Sequence, residues 1–318
     1  MSAIRIENLS KTYKTSFGRN ETFAVKTLNL EVREGEVFGL LGPNGAGKTS
    51  TIHLLLNFIR PTSGAAFLFD RPVTDTDVHR RLGYLPESVN LHTYYTGRSL
   101  LNFYAALSGV PAAKRASRIA AVLKLVDLED AADKQVGKYS KGMAQRVGVA
   151  QAMLHDPDLL ILDEPTASLD PVGRIQFREL LLEQKRRGKT ILISSHILSE
   201  VESVCDRVAI LENGALKRIG TLQELSAVGN TRLFVERVPF AMIESLVATQ
   251  AEVTWFQGQV TIRCPDDATR DAVETLLREN DVSILRRENE KQSLDEIFLS
   301  AIKEDSTPED ASPQDPRP

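Results

Sequence analysis

The stretch VFGLLGPNGAGKTSTIHLLL, residues 37–56, constrains this chain more than any other. An apolar run from Val37 to Leu41 leads directly into Gly42-Pro43-Asn44-Gly45-Ala46-Gly47-Lys48-Thr49, and TSTIHLLLNFI then carries apolar residues at helical spacing up to Pro61. The order reads strand, loop, helix. The loop matches GxxxxGK[ST]. Its glycines let successive backbone N–H groups close around phosphate oxygens, and the dipole of the following helix, where Ser50 also sits, adds to their pull on an anion. Lys48 reaches the β/γ oxygens of a nucleotide, and Thr49 offers a hydroxyl to Mg²⁺.

A second run supplies what such a loop needs. LLILDEP, residues 159–165, is a buried strand ending in two adjacent carboxylates, Asp163 and Glu164, at the sheet edge where ligands bind in open α/β folds. Asp163 is placed to hold Mg²⁺, directly or through water. Glu164, turned the other way, is placed to polarise an attacking water. TILISS (190–195) reads as another buried strand and leaves His196 at the same edge, in reach of a γ-phosphate. RVAILENGALKRIG (207–220) reads as a hairpin around an Asn213-Gly214 turn. Residues 98–155 are mainly helical in pattern and interrupt the sheet. Strands alternating with helices imply a parallel sheet with crossover connections.

The rhythm changes after Gly229, where the segments read βαββαβ. That order fits a small α+β, ferredoxin-like domain over 229–304, closed by a helix in SLDEIFLSAIKE. The last residues, 305–318, are Pro-, Asp- and Ser-rich and are expected to be disordered, because they cannot bury enough surface to offset their ordering entropy. Cys205 and Cys264 are far apart and outside any metal-binding spacing; small buried hydrophobes is their expected role. The formal charge of −4 lies mostly in 303–318, which argues against nucleic acid as a partner. No run approaches the 18 or more apolar residues of a membrane helix. Work at a membrane would therefore need another chain to span it.

With these motifs in order, residues 3–228 resemble the nucleotide-binding subunit of an ABC transporter. Further motifs carry the resemblance: Tyr13 in SKTYK, at the position of the family's adenine-stacking aromatic; GYLPE (83–87), at its glutamine loop; KYSKGM (138–143), at its signature; SLD (168–170), at its D-loop; and SSH (194–196), at its switch histidine. The wording of YSKGM, GYLPE, DEPTASLDP and LDEIF is similar to cassettes that pair with separate membrane subunits in drug, polysaccharide and bacteriocin export. The resemblance implies a phosphate-loop NTPase cassette over 1–228, with a mixed sheet, N-terminal antiparallel strands and a helical subdomain at about 88–156. It also implies ATP and Mg²⁺, a homodimer or a dimer with a paralogue, and permease subunits met at the cytosolic face of the membrane.

In that frame Lys48, Glu164 and His196 are the catalytic candidates; Thr49, Glu87 and Asp163 are the Mg²⁺ candidates. Ser140 and Gly142 would complete the ATP pocket of the opposite chain. Glu87 stands where glutamine is usual, and Lys141 and Met143 replace a glycine and a glutamine of the commoner signature. A soluble ABC ATPase acting on ribosomes or DNA is the alternative from another class. Its usual tandem cassettes, coiled-coil arms or basic extensions are not seen. A phosphate-loop kinase or GTPase fits the spacing of YSKGM to DEP poorly.

Overall fold

The computed structural model describes residues 2–14, 21–226, 230–256, 259–290 and 296–298. The tail at 305–318 and most of the expected last helix lie outside the described residues. The chain divides at Ile219/Gly220 into two compact units, somewhat ahead of the change in sequence rhythm.

In the first unit, β1 (Ser2–Lys14) and β2 (Glu21–Arg33) pair antiparallel. Their apolar alternation slips between Ile6 and Leu9, where Asn8 adopts a left-handed φ of 47° and its backbone N–H is taken by the Asn29 side chain. β3 (Val37–Leu41) enters the glycine-rich loop and α1 (Lys48–Leu55) leaves it. β4 (Ser63–Leu68) and β5 (Arg71–Pro72) complete a four-stranded sheet of order β2-β1-β4-β5, separate from the sheet that holds β3. The expectation that helical pattern runs up to Pro61 is corrected. α1 stops at Leu55 with Leu56 as its C-cap, and Asn57 turns left-handed (φ 57°), a conformation asparagine tolerates at helix ends.

The second sheet is the one that matters for chemistry. β6 (Leu82–Leu85) precedes three helices, α2 (Gly97–Leu107), α3 (Ala112–Leu125) and α4 (Lys141–Met153). Then come β7 (Leu159–Asp163), α5 (Pro171–Arg186), β8 (Thr190–Ser195), α6 (Leu198–Glu202), β9 (Arg207–Glu212) and β10 (Ala215–Thr221). The strand order is β10-β9-β3-β8-β7-β6, and β3 is parallel to both β8 and β9, β7 to both β6 and β8. β3, β7 and β8 are buried along their whole length, as parallel strands covered on both faces must be. One apolar core joins Ile4, Leu9 and Leu28 of the antiparallel sheet, Ile52 and Leu55 of α1, and Phe38, Ile161 and Leu192 of the parallel sheet. β9 turns into β10 through Asn213 and Gly214, both at positive φ, the type I′ geometry expected of Asn-Gly.

In the second unit, α7 (Leu222–Ser226) precedes β11 (Asn230–Val235), α8 (Ile243–Ala248), β12 (Glu252–Phe256), β13 (Gln259–Cys264), α9 (Asp267–Glu279) and β14 (Ile284–Glu290). The strands form an antiparallel sheet of order β12-β13-β11-β14. Leu233, Val235 and Ile262 from the sheet pack with Leu246 of α8 and Val273 and Leu277 of α9.

Candidate active site

The parallel register sets the site. Asp163, last in β7, pairs with Ser194 of β8, so the carboxylates and the hydroxyl reach the same edge together. Ser194 Oγ donates to Asp163 Oδ1 at 2.5 Å and accepts from the Glu164 backbone N–H at 2.9 Å. One hydroxyl thus fixes both acids. Glu164 adopts φ 45°, a conformation uncommon for a residue with a Cβ, and it is this turn that aims its side chain away from Asp163.

Glu164 is 7% exposed and Lys48 6%, so their meeting is nearly dry. Lys48 Nζ lies 3.2 Å from Glu164 Oε1 and donates to the carbonyls of Gly42 (2.7 Å) and Pro43 (3.3 Å). His196 Nδ1 lies 2.8 Å from the other oxygen, Oε2, with its ring half in solvent. Oε1 receives no well-directed hydrogen bond, although it is buried. The three catalytic candidates therefore converge on one carboxylate, between an ammonium and an imidazole.

The loop is held by close backbone approaches. A Cβ on Gly42 would stand 2.5 Å from the Leu211 carbonyl, and one on Gly47 would stand 2.3 Å from that of Ala24, so neither position admits a larger residue. Gly47 caps α1 at φ 103° with no side-chain cap, which leaves the first-turn N–H groups of Lys48, Thr49 and Ser50 facing the loop. Ala46 is buried and closes the loop through its N–H to the Pro43 carbonyl; Asn44 and Gly45 are exposed. Thr49 and Ser50 are half-buried.

Glu87 is exposed just past β6, on the strand beside Asp163. Its field and that of Asp163 both reach Tyr84, whose phenol is pushed up to about 12, first by burial and then by the two carboxylates. Tyr13 is 42% exposed at the end of β1, opposite Thr22 on the strand whose Ala24 touches the loop, and Lys11 Nζ lies 5.1 Å from its ring centroid.

Ser140 and Gly142 are elsewhere. Ser140 is the N-cap of α4, its Oγ accepting from the Met143 N–H at 3.2 Å. With Gly142, Ser168 and Asp170 it lines a cavity of about 440 Å³, and no residue of the loop at 42–49 lines that cavity. The sequence reading missed Ser194 as the residue that ties Asp163 to Glu164. The signal was there, since two serines end the otherwise apolar strand TILISS.

Residues 25–167 match the family model described as ABC transporter. An uncharacterised ABC transporter ATP-binding protein of Nostoc is 48% identical over 72% of this chain and 70% of its own length. The Nod factor export ATP-binding protein I of Burkholderia orbicola is 34% identical over 89% of this chain and 84% of its own. Among solved structures, the dimeric ATP-binding cassette MJ0796 in a post-hydrolysis state, bound to ADP and Pi, superposes with a TM-score of 0.64 at 25% identity, covering 69% of this chain and 98% of that one. ATP-binding subunits of this kind form dimers and work with membrane permease components. The chain belongs to the ABC transporter family, as an ATP-binding subunit with ATPase activity.

Proposed function

We propose that this chain binds ATP with Mg²⁺ at the loop of residues 42–49, and that hydrolysis within a dimer powers export through separate membrane subunits. The observation that carries this is the dry carboxylate of Glu164 held between Lys48 and His196. A phosphate group in the loop competes with Glu164 for the Lys48 ammonium. As Lys48 turns to the phosphate, Glu164 Oε1, already without a hydrogen bond, becomes free to accept a proton from water. His196 keeps the carboxylate oriented through Oε2 and has an exposed face toward a γ-phosphate. Backbone N–H groups at the start of α1 hold the remaining phosphate charge.

When bound, Mg²⁺ would supply charge neutralisation for phosphoryl transfer. Among the described residues, no group of three or more His, Cys, Asp or Glu could hold a metal ion by itself. Asp163, buried at the end of β7, and half-buried Thr49 would hold the ion through hard oxygen donors of the kind Mg²⁺ takes, with Glu87, exposed just past β6, as the third candidate. Tyr13, at the rim, stacks the base.

Ser140 and Gly142, lining a cavity that no residue of their own loop lines, complete the pocket of the second chain. No helix among the described residues is long and apolar enough to cross a membrane, so spanning falls to a permease, met at its cytosolic face. Export is the direction, by similarity to the Nod factor export relative. Replacing Glu164 with Gln tests the reading. General-base loss costs about 10²–10⁴-fold in turnover, so ATP-bound dimers should accumulate in gel filtration with phosphate release near background. Turnover at the parent rate would remove Glu164 from the mechanism.

A further inference from the structure

The segments that carry Glu164 and His196 are joined by successive side-chain contacts. Ser194 bonds to Asp163 and to the Glu164 N–H. His196 bonds to Glu164 Oε2. Further along both segments, Thr166 Oγ1 donates to Glu200 Oε2. All but the last of these contacts involve residues already given a chemical role. Thr166 is 4% exposed and lies in the turn after Glu164, where the Ala167 N–H bonds back to the Glu164 carbonyl and the Leu169 N–H to the Thr166 carbonyl. Glu200 is on α6, the short helix that His196 leads into.

Glu200 is a little-exposed carboxylate with partners on two other segments. Among the described residues it is held at Oε2 by Thr166 and at Oε1, which accepts no hydrogen bond, by the Arg174 guanidinium of α5, 3.5 Å away. An acid in such a place costs stability unless its partner needs it. Glu200 is the acid of the first turn of α6, whose N-cap Ile197 makes no side-chain cap bond, and Ser203 Oγ donates to the Glu200 carbonyl and not to its side chain. What the carboxylate does hold is Thr166, and through Thr166 the turn that sets Glu164 at its left-handed φ.

We propose that Glu200 and Thr166 form a positioning pair for hydrolysis. The pair fixes the distance between the turn after β7 and the segment after β8, and so keeps His196 Nδ1 within hydrogen-bonding reach of Glu164. Neither residue touches nucleotide. Loss of the pair lets the His196 segment drift from the carboxylate while the phosphate loop, held by Ala24 and Leu211, keeps its shape. Binding is then spared and the chemical step is slowed. The proposal rests on the roles given above to Glu164 and His196.

The test is steady-state phosphate release by the full chain, with thermal unfolding of each variant alongside. Glu200→Ala and Thr166→Val should each lower kcat about tenfold while KM for ATP stays within about twofold, since the lost contact acts on the reacting geometry and not on ground-state binding. Thr166→Ser restores the hydroxyl and should restore most of kcat, whereas a role in packing alone would make serine as poor as valine. The double variant Thr166→Val/Glu200→Ala should be no slower than either single, because both remove one contact. Parent kcat in Glu200→Ala, an equal rise in KM, failure of serine to rescue, or additive losses in the double variant would each overturn the pair. Glu164→Gln and His196→Ala run in the same series separate the two readings. If they too turn over at the parent rate, the site assignment has failed; if only they are slow, the positioning pair alone has failed.

Discussion

The loop at 42–49 and the segment at 138–143 both end in a helix N-terminus, and both contain the small residues that let a backbone come close to a phosphate. They are finished differently. Gly47 caps α1 with no side chain, and its φ of 103° and the nearby Ala24 carbonyl bar any other residue. Ser140 caps α4 with its own hydroxyl, accepting from Met143, and a Cβ on Gly142 would meet nothing closer than 3.7 Å. The first region leaves several N–H groups for an anion and adds a buried lysine. The second has spent its cap acceptor internally and keeps one hydroxyl proton to offer outward, from a cavity edged by the acids Asp127, Glu129, Asp130 and Asp170. An anion can be enclosed by the first region alone, whereas the second can only add to an anion brought to it.

The largest effect that sharpens this contrast comes from Lys48→Ala. Charge-assisted hydrogen bonds to a buried phosphate are worth about 1.5–3 kcal/mol each, and no other cation among the described residues lies on the loop carbonyls. ATP affinity should fall on the order of 100-fold or more, read by equilibrium binding of a fluorescent analogue with circular dichroism confirming the fold. Unchanged affinity would mean that the loop holds phosphate through its backbone only.

Next in size is the fate of Ser140. Aspartate caps helices as well as serine does, while alanine loses about 0.5–2 kcal/mol. If Ser140 serves only α4, Ser140→Asp keeps full turnover and Ser140→Ala is merely less stable. If its hydroxyl donates to the partner's phosphate, Ser140→Asp keeps its melting temperature yet puts negative charge against the γ-phosphate, and turnover should fall more than tenfold. Melting curves beside phosphate-release rates distinguish the outcomes.

A smaller effect, but a direct one on geometry, comes from mixed dimers. A chain carrying Ser140→Arg paired with one carrying Lys48→Ala gathers both lesions in one site if the site is shared across chains, leaving the other intact. Activity should return to a fraction of the parent when the two inactive variants are titrated together. A pocket completed within each chain predicts no rescue, and a wild-type/Lys48→Ala dimer measures how far one dead site silences the other.

How much of this was legible differs between the same two regions. Strand, loop and helix around Lys48, the paired acids after LLIL and the His196 position all follow from contiguous residues, because parallel buried strands are written as unbroken apolar runs that stop where the edge begins. The side-chain meetings do not. Lys48 reaches Glu164 because β3 and β7 both flank β8, and Ser194 joins two acids because the β7–β8 register puts it opposite Asp163; both depend on pairings between distant segments. Nor could periodicity show that β1 and β2 leave the main sheet for one of their own, or that Asn57 would end α1 early. Ser140 followed as a site residue only from the resemblance of its motif, and its place at the N-cap of α4 beside a cavity that no loop residue lines needed the fold.

The smallest expected effect is at Gly142, and Gly47 is its contrast. Gly47→Ala forces a Cβ into left-handed backbone and against the Ala24 carbonyl, a strain of about 1–3 kcal/mol, so the melting temperature should drop by roughly 2–4 °C per kcal/mol and ATP binding should weaken with it. Gly142→Ala adds a methyl in ordinary contact with the Ser168 carbonyl, inside a helix where alanine is favoured over glycine by roughly 0.5–1 kcal/mol. Its stability should hold or rise slightly, and the affinity of the single chain for ATP should not move. Only the step that needs the second chain should register the methyl, as a modest loss of turnover from a phosphate held a few tenths of an ångström too far. Were Gly142→Ala to match the parent in both melting and phosphate release, its backbone would not be near a phosphate, and the helix of α4 would contribute its cap and dipole alone.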